Sequence, residues 1–139
     1  MKKTQFVHLH NHTEYSLGDG IMKIVDESGN PSEFIRTVLR EGMPAVAITD
    51  HGNLFGAIEF YSACHSMGIK PIVGCEMFMV RGPRTEECGL PQDKFHITVL
   101  ARDCEGYQNL IICSTIKQFN QCNGVESQLN AQEYRPPIS

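Results

Sequence analysis

The chain has 139 residues, 20% of them charged, and a formal net charge of −4, the size and balance of one globular domain with its own core. That charge argues against a broadly basic nucleic-acid surface. No apolar run approaches the roughly 20 residues of a bilayer span, and "MKKTQFVHLH" lacks the apolar stretch of a signal peptide, so a cytoplasmic protein without membrane contact is expected.

The first expected element is a short strand, "QFVHL" at 5–9. The loop "HNHTEYSLGDG" follows. His8, His10 and His12 alternate, and in an extended segment alternate side chains share a face. "NPSEFIRTVLREG" reads as a helix with Asn30 as N-cap, Pro31 at its first position, a stripe of Phe34, Ile35, Val38 and Leu39, and a stop at Gly42. "PAVAIT" at 44–49 is continuously apolar, as befits a strand buried on both faces. After the turn "DHGN", the helix "LFGAIEFYSACHSMG" has Leu54, Ile58, Tyr61 and Ala57 at helical spacing and Gly68 as its stop. "KPIVG" at 70–74 runs on as "CEMFMV", and a polar loop with glycines and prolines leads to a fourth strand, "FHITVLAR" at 95–102. The last helix opens on Asp103 as cap and presents Tyr107, Leu110, Ile111 and Phe119. The segment 120–139 is polar and weakly periodic. The six cysteines are scattered, without a C-x-x-C pair, and read as reduced thiols, several of them in the core.

The order β-α-β-α-β-β-α implies an α/β fold with a parallel sheet, whose loops at the C-terminal strand ends would gather active residues. His10 and His12 follow the first strand, Asp50 and His51 the second and Glu76 the third, while His96 lies in the fourth. Imidazole and carboxylate are ligands for Zn, Mn and Fe. Each group alone has a plain alternative. Alternating histidines arise by chance, Asp50 fits a helix cap, and Glu76 fits a solvated strand end. Their convergence on strand ends favours a metal centre. His65 reads as structural, and Cys75 should point away from Glu76.

"FVHLHNHTEYSLGDG", "AVAITDHGNLFGAIEFYSAC", "GIKPIVGCE" and "FHITVLARDCEGYQNL" together resemble the polymerase and histidinol phosphatase (PHP) domain. The resembling branch is the one at the N-terminus of bacterial DNA polymerase III alpha subunits. The resemblance covers about 5–118 and implies the opening portion of a (β/α)7 barrel over 1–119, with 120–139 matched more loosely. It implies up to three divalent cations held by His10, His12, Asp19, His51, Glu76 and His96, with Glu76 bridging. Glu76 and His51 are the implied catalytic pair, and His8 and Asp50 would stand behind the ligands. The family's remaining ligands lie beyond Ser139, so an open barrel with weak cation binding and little hydrolysis is the expectation for this chain alone. The implied activity is metal-dependent phosphoester hydrolysis, namely 3′-to-5′ exonuclease trimming during DNA replication, with DNA and other replisome subunits as partners. A structural module of the polymerase and a small-molecule phosphatase are the alternatives.

Overall fold

The computed structural model describes residues 6–80 and 94–122. Its elements are α1 (Glu33–Arg40), β1 (Ala45–Ile48), α2 (Ala57–Ser66), β2 (Lys70–Val80), β3 (Lys94–Leu100) and α3 (Cys104–Cys122). The expected polar loop at 81–94 falls almost wholly outside the described residues, as does the segment after Cys122.

The sheet has the order β1-β2-β3. β1 and β2 are parallel, with Ala45 opposite Lys70 and Ile48 opposite Val73. β2 and β3 are antiparallel, with Gly74 opposite Leu100 and Phe78 opposite His96. The sheet is therefore mixed, which corrects the expectation of parallel strands throughout. Parallel neighbours need a long crossover, usually a helix, as α2 provides between β1 and β2. The stretch between β2 and β3 has no helical periodicity in its sequence, and the chain reverses instead.

The expected strand at 5–9 is absent as a regular element among the described residues. The chain still runs beside β1, because Ala47 N–H donates to the His8 carbonyl (2.9 Å) and Thr49 N–H to that of Asn11 (2.8 Å). Two residues of advance on β1 thus match three on the partner, a one-residue bulge. The Asn11 amide fills the gap, donating to the Ala47 carbonyl at 2.9 Å. The bulge breaks the alternation on which the single face for all three histidines depended.

α1 begins at Ser32, not Asn30, as its N-cap. Asn30 is held elsewhere, its N–H on Asp26 Oδ1 at 3.0 Å, and Pro31 bridges to Val25. Ile35 and Val38 are buried, whereas Leu39 is exposed. Gly42, at φ 71°, ends the helix, as its sequence position suggests. α2 starts later than expected, and the later start changes its inward face. Ala57, Phe60, Ala63 and Cys64 are buried, while Ile58 and Tyr61 lie in solvent. Phe60, Ala63 and Cys64 join Ile35, Val38, Val46, Ile48, Ile24 and Ile69 in the main core. A smaller cluster of Cys75, Met77 and Leu110 lies where α3 covers β2. Asp103 caps α3, accepting from Gly106 N–H at 2.9 Å, and the helix continues to Cys122, past the expected end at 119. Cys64 and Cys75 are buried and in no disulfide, and burial pushes the Cys64 thiol up to about 12.

Candidate metal centre

Glu76 occupies the middle of β2, on the face opposite Cys75 and Met77. It is only 4% exposed. Its backbone is tied to the segment that extends β1, since Glu76 N–H donates to the Asp50 carbonyl (3.0 Å) and Gly52 N–H to the Glu76 carbonyl (2.8 Å). This bridge sets His51 beside Glu76. Gly52, at φ 61°, supplies the left-handed turn that carries the chain away.

β3 brings His96 to the same place because it runs antiparallel. Thr98 is directly opposite Glu76, and residues two apart on a strand share a face, so His96 is the diagonal neighbour of Glu76. In a parallel strand the same histidine, near the strand start, would stand at the far end of the sheet. The Phe78 ring meets His96 edge-on at 4.4 Å and restricts it.

The loop after the bulge contributes the remaining groups. His12 Nε2 lies 2.9 Å from Glu76 Oε2, and His10 Nε2 contacts the same oxygen. The two ring nitrogens are 3.0 Å apart. Asp19 Oδ2 meets His51 Nε2 at 2.9 Å, and Asp19 Oδ1 is 3.6 Å from His12 Nδ1. The other Glu76 oxygen, Oε1, contacts His96 Nδ1 and is 3.9 Å from His51 Nδ1. Gly20 permits the tight loop, because a Cβ there would lie 1.8 Å from the Thr13 carbonyl oxygen.

Burial alone would raise the Glu76 carboxyl, but hydrogen bonds from His96, His10 and His12 outweigh it and hold the group at about 2. The hydrogen bond from His51 holds the Asp19 carboxyl below its usual range. Both carboxylates are therefore charged at neutral pH.

All six expected ligands converge. They form three overlapping groups, namely His10–His12–Glu76, His12–Asp19–His51 and His51–Glu76–His96, with the potential ligand atoms of each within 4.8 Å of one another. His12, His51 and Glu76 each belong to two groups. Imidazole nitrogens around a buried, ionised carboxylate are a donor set that fits Zn, Mn or Fe.

His8 stands apart, its exposed ring packed edge-on against Phe6 at 4.7 Å. His65 stacks on Tyr61 in α2. Asp50 does not cap α2. It is buried and accepts from Thr13 N–H (2.6 Å), the Thr13 hydroxyl (2.7 Å) and the Ser16 hydroxyl (2.7 Å). Sequence reasoning missed Asn11, Thr13 and Ser16. The signal available was a run of small polar residues, "NHTEYS", in a loop flanked by ligand candidates.

The model of the PHP domain matches residues 8–138. The chain belongs to the PHP domain family. This PHP chain is homologous to part of the DNA polymerase III alpha subunits. It is 46% identical over 112 residues to that of Thermus aquaticus, covering 78% of this chain and 9% of the relative. Against that of Mycobacterium tuberculosis (strain H37Rv) it is 38% identical over 143 residues, covering 93% of this chain and 12% of the relative. The chain thus spans about a tenth of these relatives' length. Among solved structures, an amidohydrolase from Chromobacterium violaceum shares the PHP chain's α/β fold, with a TM-score of 0.51 and 21% identity over 84% of this chain and 34% of its own.

Proposed function

We propose that this PHP domain is a divalent-cation-dependent phosphoesterase that trims DNA from the 3′ end, as part of a polymerase of the DNA polymerase III alpha type acting in replication. The observation that carries this reading is the buried Glu76 carboxylate with two histidines on each oxygen. One cation would be held by His10, His12 and Glu76, a second by His51, Glu76 and His96, and a third by His12, Asp19 and His51. When bound, such cations supply Lewis acidity that activates water at neutral pH and offsets charge on phosphoester oxygens. Glu76 can bridge, since its two oxygens face different histidines. Asp19 and His51 orient each other at the solvent side. The hydroxyls of Thr13 and Ser16 are committed to Asp50 and Cys75 faces the core, which favours water over a side chain as nucleophile. On this reading β1 and β2, with their helices, are the opening units of a seven-unit barrel in which β3 runs antiparallel.

The test is metal analysis of the full-length protein, with hydrolysis of p-nitrophenyl phosphate and of single-stranded DNA labelled at either end. We expect bound Zn, Mn or Fe and loss of label from the 3′ end. Glu76→Ala should lower turnover by more than the ~10–100-fold typical of residues behind the ligands. Unchanged turnover in Glu76→Ala, or a protein without bound divalent cation, overturns the proposal. Bound cation with no turnover favours a structural module.

A further inference from the structure

Asp50 is 2% exposed, and a buried carboxylate is costly unless its lone pairs are satisfied. Its side-chain partners all belong to the loop that carries His12 and Asp19. The Thr13 N–H and hydroxyl bind its two oxygens, and the Ser16 hydroxyl shares Oδ1. Ser16 Oγ also accepts from His51 N–H at 3.1 Å. The Asp50 carbonyl accepts from Glu76 N–H at 3.0 Å. One residue thus ties together the backbones next to His12, His51 and Glu76, and through Ser16 the turn that ends at Asp19. These partners are neutral, so among the described residues the buried carboxylate has no positive counterpart in the hydrogen bonds it makes.

We propose that Asp50 is a positioning residue that spaces the ligand atoms of His12, Asp19 and His51 before a cation arrives, and that its buried charge strengthens cation binding at that group. This rests on the metal-centre reading above. Asparagine at position 50 can keep the Thr13 and Ser16 contacts if the Thr13 hydroxyl turns to accept, so Asp50→Asn removes mainly the charge. Thr13→Val and Ser16→Ala instead each remove one hydroxyl tether and keep the charge, with the Thr13 N–H still able to donate to Asp50.

The experiment compares these three variants and wild type, as full-length proteins, by Zn²⁺ and Co²⁺ titration, by the visible spectrum of the Co²⁺-loaded form, and by amide hydrogen exchange of the metal-free form. We expect each variant to bind at least one cation about 10–100-fold more weakly and to alter the Co²⁺ spectrum. Ser16→Ala should also expose the His51 amide to exchange, while melting temperatures of the metal-free proteins stay within a few degrees. Wild-type affinity and spectrum in both Asp50→Asn and Ser16→Ala overturn the inference. So does loss of affinity in all three variants that merely tracks global unfolding by circular dichroism. A wild type that protects the Thr13 and His51 amides yet binds neither cation overturns the metal-centre reading itself.

Discussion

The loop at 8–22 and the β2–β3 pair each deliver groups to the same centre, by opposite means. β2 and β3 place Glu76 and His96 through backbone register. Once Thr98 pairs with Glu76, the diagonal position of His96 follows from strand geometry. The loop has no regular element to rely on. It is held by the Asn11 amide on β1, the Thr13 and Ser16 bonds to Asp50, and the close approach of Gly20 to Thr13. A ladder tolerates changes of side chain because the backbone makes the bonds. A polar loop depends on each side chain that replaces one.

This contrast can be broken by substitutions that act on one region only. The largest effect belongs to Phe60, fully buried in the main core beneath the sheet. Phe60→Ala should cost about 3–5 kcal/mol of global stability, read by urea unfolding, yet leave cation affinity of the folded fraction unchanged. Selective loss of cation binding without a stability change would show that the core and the centre are not separable in this way.

Gly20→Ala comes next. The added Cβ must displace the Thr13 carbonyl, and we expect a cost of about 1–3 kcal/mol confined to the loop. Hydrogen exchange should show faster opening at 13–22 while β2 and β3 keep their protection. Equal opening of both regions would mean that the loop and the sheet form one cooperative unit.

Asn11→Ala removes the amide that fills the bulge. A loss of about 1 kcal/mol is expected for such a hydrogen bond, together with weaker cation binding, since His10 and His12 flank the position. Stability equal to wild type by chemical denaturation would show that water replaces the amide without penalty.

The smallest effect concerns Asp26, away from the centre. Its carboxyl lies below the ordinary value of 3.8, chiefly because the Asn30 N–H donates to it, with help from Ser28 N–H and Arg36. A group whose folded pKa is depressed stabilises above its unfolded value and loses that contribution as pH falls through the folded one. The Ser28 and Asn30 amides should therefore exchange faster, relative to intrinsic rates, as pH drops below about 3.8. No added loosening in that window would place the turn's order in its backbone bonds alone.

Much of the regular half was legible from sequence. The continuous apolar run "AVAI" is β1, Gly42 and Gly68 stop their helices in the left-handed conformation, and Asp103 caps α3, because these signals act within a few residues. The inward face of α2 was misread in part. Ala57 is buried as expected, but Leu54 precedes the helix and no longer anchors the stripe, and packing puts Phe60 rather than Ile58 and Tyr61 inside. The candidate ligands were legible as residue types near strand ends, and all six meet.

What the sequence by itself determined is therefore the supply of groups, namely a His-x-His pair, Asp19, His51, Glu76 and His96, and the local punctuation around them. Three features were decided only by tertiary structure. β3 runs antiparallel, which puts His96 at the centre, since strand direction depends on the connection and the partner edge rather than on a strand's own pattern. A bulge parts His8 from His10 and His12, since alternation assigns faces only in an unbroken ladder. Asp50 holds a loop 34 and 37 residues away in sequence instead of capping the helix beside it, because a buried carboxylate takes the donors that the fold places around it.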